Sequence, residues 1–196
     1  MILYFAPGAC SLADHIALHE AKLPFDRVKV DLKSHATEDG RDFTRINPKG
    51  YVPALVLDGG ELLTENVAIL SWVADQAPGL APRGDLGRYR LQETLAFIST
   101  EIHKAFKPFF TPGASDADKA TAAEAIAGRL RLIAGQLDGD GYLFGQEAGV
   151  ADAYLFVMLM WAKKNGVEIP QPLTAYFDRM KGRPAVQSAL EEEGLG

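Results

Sequence analysis

The stretch Val52-Pro53-Ala54-Leu55-Val56-Leu57-Asp58-Gly59-Gly60-Glu61-Leu62-Leu63 sets two apolar runs on either side of Asp-Gly-Gly. Asp and Gly accept the positive-φ backbone that a tight reversal needs, so the pattern predicts a β-hairpin. A helical pattern follows from Glu65 to Ala77, with Val67, Ile69, Leu70 and Val73 on its core face and Thr64 expected as its cap. Working back from the hairpin, Lys33 to Asn47 is polar and irregular, with a short helix expected around Asp42 to Ile46. Arg27-Val28-Lys29-Val30-Asp31 alternates polar and apolar, the signature of a half-exposed strand. Ile2-Leu3-Tyr4-Phe5 is a short apolar strand, Ala6-Pro7-Gly8-Ala9 a turn, and Ser11 to Glu20 a helix with Ser11 near its cap and Asp14 three residues on.

The resulting order is β-α-β-α-β-β-α. It matches a thioredoxin-like α/β domain over residues 1–78, with a parallel pair in the first half and an antiparallel hairpin at the end. Pro78-Gly79-Leu80-Ala81-Pro82-Arg83-Gly84 reads as a linker. Strand signals vanish after it, and residues 87–196 read as an all-α domain. Leu91, Leu95, Ile98 and Ile102 recur at helical spacing, as do His103, Phe106 and Phe110, and Pro112-Gly113 closes that helix. Helices are also expected from Ala117 to Leu137, Val150 to Lys164, Leu173 to Lys181 and Ala185 to Glu193, with a Gly-rich loop from Gly139 to Gly149.

Composition narrows the function classes. The chain has 196 residues, 47% of them hydrophobic, enough to bury a core in two small domains. Its net charge is -6 with no Lys/Arg-rich run, which argues against a nucleic-acid partner. The apolar run from Ala153 to Ala162 is roughly half the length of about 20 residues that a membrane span needs, so no membrane partner is expected. The N-terminus lacks a basic segment and breaks at Pro7-Gly8, unlike a signal peptide. A single cysteine cannot form an internal disulfide. A cytoplasmic protein is the expectation.

Three places carry possible chemistry. Cys10 sits between a Pro-Gly turn and a helix start, where exposed N–H groups and the helix dipole favour an anion and lower a thiol pKa. Ala13 occupies the C-x-x-C partner position, so Cys10 has no resolving cysteine and must work with an external thiol or not at all. Val52-Pro53 opens an apolar strand, where a cis X-Pro bond and a trans proline on an edge strand are equally consistent with the sequence. A cis bond would leave the Val52 backbone free to pair with an extended peptide. Glu65-Asn66 opens a helix, where N–H groups suit a carboxylate and Glu65 an ammonium; plain capping by Thr64 reads as well. His103, among Phe106 and Phe110, is on spacing alone more often packing than chemistry.

Pro7-Gly8-Ala9-Cys10-Ser11-Leu12, Ile46-Asn47-Pro48-Lys49-Gly50-Tyr51-Val52-Pro53-Ala54-Leu55, Leu63-Thr64-Glu65-Asn66-Val67-Ala68-Ile69 and Val150-Ala151-Asp152-Ala153-Tyr154-Leu155 together resemble the glutathione transferase family. Glu101-Ile102-His103-Lys104 and the ending Ser188-Ala189-Leu190-Glu191-Glu192-Glu193-Gly194-Leu195 are similar to its bacterial beta class, and the resemblance spans essentially the whole chain. It implies glutathione as cosubstrate, no metal, a homodimer, and attack of the glutathione thiolate on a small hydrophobic electrophile. Glutathione would lie on the first domain and the electrophile in a pocket of the second. Lowering a thiol pKa from about 9 to about 7 is worth about 2.7 kcal/mol, and Cys10, Ser11 and His103 are the implied catalytic residues. His35, Val52, Pro53, Glu65, Asn66, Thr100, Glu101, His103 and Lys104 are the implied glutathione contacts, Thr100 and Glu101 reaching toward the partner subunit's ligand. His35, Asn66, Ala96 and Gly149 depart from the family pattern. Reduction of disulfides or peroxides through Cys10 is a chemical variant, and a non-catalytic binder of glutathione or a hydrophobic ligand is the alternative.

Overall fold

A computed structural model describes residues 1–137 and 139–196. Five strands form one mixed sheet in the order β3-β2-β1-β4-β5. They are β1 Ile2–Phe5, β2 Asp26–Asp31, β3 Ala36–Thr37, β4 Ala54–Val56 and β5 Leu62–Thr64. β1 runs parallel to β2 and antiparallel to β4, with Tyr4 opposite both Val28 and Ala54. The hairpin between β4 and β5 forms as its sequence predicts, Leu55 facing Leu63. Gly60 takes a φ of 91° in the reversal, where its missing Cβ is needed. The two-residue β3 had no sequence signal, and the short helix expected around Asp42 is a single 3₁₀ turn, Phe43–Arg45.

Helix α1 (Leu12–Glu20) joins β1 to β2, and α2 (Asn66–Gln76) follows the hairpin. Ser11 takes the N-cap position of α1 as expected, but neither Ser11 nor Thr64 makes a capping bond. Ser11 turns its hydroxyl back to Ala6. Thr64 stays paired with Ala54 in the ladder, and Glu65 takes the cap position of α2 with a φ of 75°. Tertiary pairing wins here over a capping bond worth about 1 kcal/mol.

The remainder is helical. The expected single helix over 91–110 changes its winding three times: α3 (Gly87–Phe97), a π-helical segment (Ile98–His103), a 3₁₀ turn (Lys104–Phe106) and α4 (Lys107–Phe110). Then come α5 (Asp116–Ala134), α6 (Val150–Lys164), α7 (Gln171–Lys181) and α8 (Pro184–Glu192). Residues Val150 to Leu159 of α6 are buried without exception, so the helix is apolar all round because it is surrounded. It packs against α1, α2, α3 and α7, while α8 closes over α1. One apolar cluster therefore runs from Leu3 and Ile16 through Leu95 and Leu155 to Val186, across both halves of the chain. A smaller cluster of Tyr4, Val30, Phe43, Val52 and Ala54 covers the other face of the sheet.

The start of α6 explains an irregularity of the sequence. A Cβ at Gly149 would lie 2.5 Å from the Leu80 carbonyl oxygen, so a hydroxyl-bearing cap does not fit. Asp152 bonds back instead. Its buried carboxyl accepts from the backbone N–H groups of Gly149 (2.7 Å) and Leu143 (2.9 Å) and from the Tyr176 hydroxyl (2.7 Å). Replacing Asp152 by Ala strands the buried Tyr176 hydroxyl and two part-buried backbone N–H groups, and should cost about 3 kcal/mol. Urea unfolding checks this, and a loss within experimental error would remove Asp152 as the anchor of α6.

Candidate active site

The turn between β1 and α1 is held from several directions. Gly8, at a φ of 70°, donates its N–H to Glu193 Oε2 (2.8 Å) and accepts from the Trp161 indole N–H at its carbonyl (2.9 Å). Residues from α6 and from just beyond α8 thus fix the turn that presents Cys10. The Cys10 thiol donates to the Val52 carbonyl oxygen at 3.6 Å, and the Val52–Pro53 bond is cis. Asn66 Nδ2 donates to the Cys10 carbonyl oxygen (2.8 Å) and to Asp14 Oδ2 (2.9 Å). Three segments distant in sequence therefore meet at one cysteine.

The charge state of Cys10 corrects the expectation drawn from its helix-start position. Burial, aided by Asp14 and Glu65, pushes the thiol up to about 12 from its ordinary 9.0. The N–H groups of Cys10 and Ser11 work in the opposite direction and lose. Dipole and N–H effects at a helix start amount to about 1 kcal/mol, and withdrawing a charge from water costs more. Asp14 beneath the turn is itself pushed well above the carboxylate range by complete burial. Cys10 is a protonated donor at neutral pH.

The other predicted residues divide into two groups. Glu65 lies near the cysteine with its carboxylate exposed. Its Oε1 accepts from the Tyr51 hydroxyl (2.8 Å) and from Lys49, and the Lys49 bond chiefly holds its pKa below the usual range. Lys104 across the domain seam lowers it further. His103 lines a cavity of about 590 Å³ with Lys104, Lys107, Phe110 and Thr111. Its Nδ1 lies 2.7 Å from the hydroxyl of Tyr154, which is almost fully buried. The Ser99 hydroxyl also bonds that phenol; where the Tyr154 O–H donates to Nδ1, the imidazole proton sits on Nε2. Burial first, then Lys104, lowers the His103 pKa to about 4 from 6.5. His103 is a neutral donor. The Trp161 ring packs against His103 (5.1 Å between centroids), Phe106 (5.5 Å) and Phe110 (4.8 Å), joining the cavity wall to the Gly8 turn.

The side chains of Ser11, Asn66, Thr100 and Glu101 are engaged within this chain, and that of His35 is not. Ser11 is fully buried and spent on Ala6. The Asn66 amide is committed inward, which leaves its backbone N–H at the helix start. His35, at a φ of 54°, stands beside Gly50 with Nδ1 buried and unpartnered. Thr100 bonds Ala96 within its own helix, and Glu101 pairs with Arg129 at 3.3 Å on the exposed side. Sequence reasoning missed Lys49 and Tyr51, both beside the quoted Pro48-Lys49-Gly50 turn, and Glu193.

Family models for the N-terminal and C-terminal domains of glutathione S-transferase match residues 9–76 and 97–184. The chain belongs to the glutathione S-transferase family. It is 44% identical to glutathione S-transferase GstA of Escherichia coli O157:H7, with 100% of both chains covered. Among solved structures, a sphingomonad glutathione S-transferase complexed with glutathione is 50% identical with a TM-score of 0.93 and full coverage of both chains. The beta class glutathione S-transferase of Sphingomonas chungbukensis is 51% identical, with a TM-score of 0.90 and the same coverage. The expected fold, a thioredoxin-like domain followed by a helical one, is the fold of this transferase.

A thiol with so high a pKa alkylates slowly. Iodoacetamide should modify Cys10 in the folded protein at least about tenfold more slowly than free cysteine at pH 8, measured by mass spectrometry. Faster modification than free cysteine would mean a thiolate at this site.

Proposed function

We propose that the chain conjugates the glutathione thiolate to small hydrophobic electrophiles, with Cys10 and His103 as hydrogen-bond donors to the glutathione sulfur. The convergence of the Cys10 turn, Val52 and the start of α2 on one point carries the reading. The glutathione-bound relative supports the cosubstrate. The Val52 backbone beside cis Pro53 would pair with the cysteinyl unit. The N–H groups opening α2 would take the γ-glutamyl carboxylate, and Glu65 its ammonium, with Lys49 and Tyr51 holding the Glu65 carboxylate in place. His35 and Lys104 would hold the glycyl end.

In this reading the glutathione thiol loses its proton to solvent. In the tautomer with Tyr154 donating to Nδ1, Nε2 carries the proton, and His103 donates to the sulfur rather than taking its proton. The thiolate accepts hydrogen bonds from the Cys10 S–H and the His103 Nε2–H, attacks the electrophilic carbon, and the leaving group departs with the bonding pair. The cavity beside Phe110 would hold the electrophile, its apolar wall suiting a hydrophobic ring. Disulfide or peroxide reduction through Cys10 needs a thiolate that burial disfavours. The proposal includes a cytoplasmic homodimer with Thr100 and Glu101 toward the partner; no helix among the described residues is long and apolar enough to cross a membrane.

Each donor to a charged sulfur is worth about 1.5–3 kcal/mol. Cys10→Ala should therefore raise the pKa of bound glutathione by roughly 1 and slow conjugation of a model aryl halide about tenfold at pH 6.5, with the deficit shrinking toward pH 9. Complete loss at every pH would instead mark Cys10 as a nucleophile. Glutathione binding by calorimetry without turnover of any aryl halide would leave the binding-protein alternative.

His103 gives a stability signature. Its folded pKa of about 4 lies below the ordinary 6.5, so the unfolded chain binds the extra proton first as pH falls. Its neutral form stabilises the fold above pH 6.5, and that contribution is lost between pH 6.5 and pH 4. Urea unfolding of the protein and of His103→Gln should show the two stabilities converging across that window. A constant difference would place the His103 pKa near its ordinary value.

A further inference from the structure

We propose that His15, His19 and Glu192 form a divalent-cation site of the zinc type, joining the last turn of α8 to α1. His15 and His19 are one helical turn apart, so their rings share a face and stack at 5.1 Å between centroids. Their Nε2 atoms converge on one oxygen, Glu192 Oε2, at 2.7 Å for His15 and 3.0 Å for His19. All three ligand atoms lie within 4.8 Å of one another.

A second observation points to a metal. The far nitrogen of His15, Nδ1, lies 3.0 Å from Glu193 Oε1, and both side chains are fully buried. A carboxylate behind a ligating histidine fixes the ring and its tautomer and raises its basicity, the arrangement that recurs at zinc centres. Phe25 meets both imidazoles edge-on, at 5.5 and 5.2 Å, and screens that side from water. Two nitrogens and one carboxylate oxygen suit zinc better than calcium or magnesium, which prefer oxygen.

The geometry requires the ligand atoms, now within 4.8 Å of one another, to settle at one common spacing. Tetrahedral zinc with ligands at about 2.0–2.2 Å spaces those ligands about 3.4 Å apart. The Glu192 carboxylate must swing outward by a few tenths of an ångström, and its side chain is 31% exposed. The fourth position would then take water. Arg27 is the resident competitor: its Nε lies 3.3 Å from the same Oε2, and its Nη1 bonds the Glu192 carbonyl oxygen. A metal would displace the first contact and leave the second. Because Glu193 also holds the Gly8 N–H, the cation would brace the turn that presents Cys10. None of the three ligands belongs to the glutathione site, so the inference does not depend on the proposed function.

Titration of the full chain with zinc by calorimetry, without glutathione, tests it. Cys10→Ser serves as a parallel background that removes the lone thiol. The expected result is one equivalent bound at micromolar zinc in both proteins, with a melting temperature that rises and saturates at that equivalent. His19→Ala, at a half-exposed position, should weaken binding at least about tenfold, and Arg27→Ala should tighten it. Cobalt should give a tetrahedral visible absorption that His19→Ala abolishes. Glu192→Gln repeats the test if His19→Ala does not fold. Absent binding, binding unchanged in both ligand variants, or binding that disappears with Cys10→Ser overturns the proposal.

Discussion

Helix α1 is buried without interruption from Leu12 to Leu18, and that stretch includes Asp14 and His15. A buried ionisable group costs several kcal/mol unless it is paired or neutralised. The neighbouring elements are arranged around that demand. Asn66 comes from the start of α2 to meet Asp14, and Glu193 comes from beyond α8 to meet His15. The same side chains also hold backbone atoms of the preceding turn, Asn66 the Cys10 carbonyl and Glu193 the Gly8 N–H. Burial of one helix thereby sets the position of the thiol and ties the two ends of the chain together.

The site's electrostatics come from the same burial. A helix start draws a thiol toward its anion, while an apolar surround draws it toward its neutral form, and at Cys10 the surround prevails. His103 shows the same outcome with opposite charge: removal from water favours the uncharged imidazole. Both groups consequently carry a hydrogen that they can donate to the sulfur they are proposed to serve. The charges that remain, Glu65, Lys49 and Lys104, stand on the exposed rim, where water screens them and an ionic ligand can exchange with them.

Much of this was legible in the residues. The Asp58-Gly59-Gly60 reversal, the apolar core of α6 and the strand–turn–helix at Cys10 each obey a local rule, and local rules read directly from sequence. What escaped depends on contacts between distant segments. Lys49 and Thr64 are 15 residues apart, yet the lysine bonds the hydroxyl expected to cap α2. The Asn66 amide looked available to a ligand until Asp14 and the Cys10 carbonyl claimed it. Gly149 departs from the family pattern for a reason that its neighbours in sequence do not show: the Leu80 carbonyl passes too close for any side chain. The change of winding at Ile98–His103 left the apolar spacing intact, so periodicity alone read one continuous helix.

Trp161 has an optical consequence. The chain holds two tryptophans, and this one joins three things: the Gly8 carbonyl, the neutral ring of His103 and the exposed Phe110. Indole emission responds to the polarity and protonation of such neighbours. The protein therefore carries an intrinsic fluorophore at the seam between its halves, where occupancy of the cavity and the charge of His103 register as light without an added label.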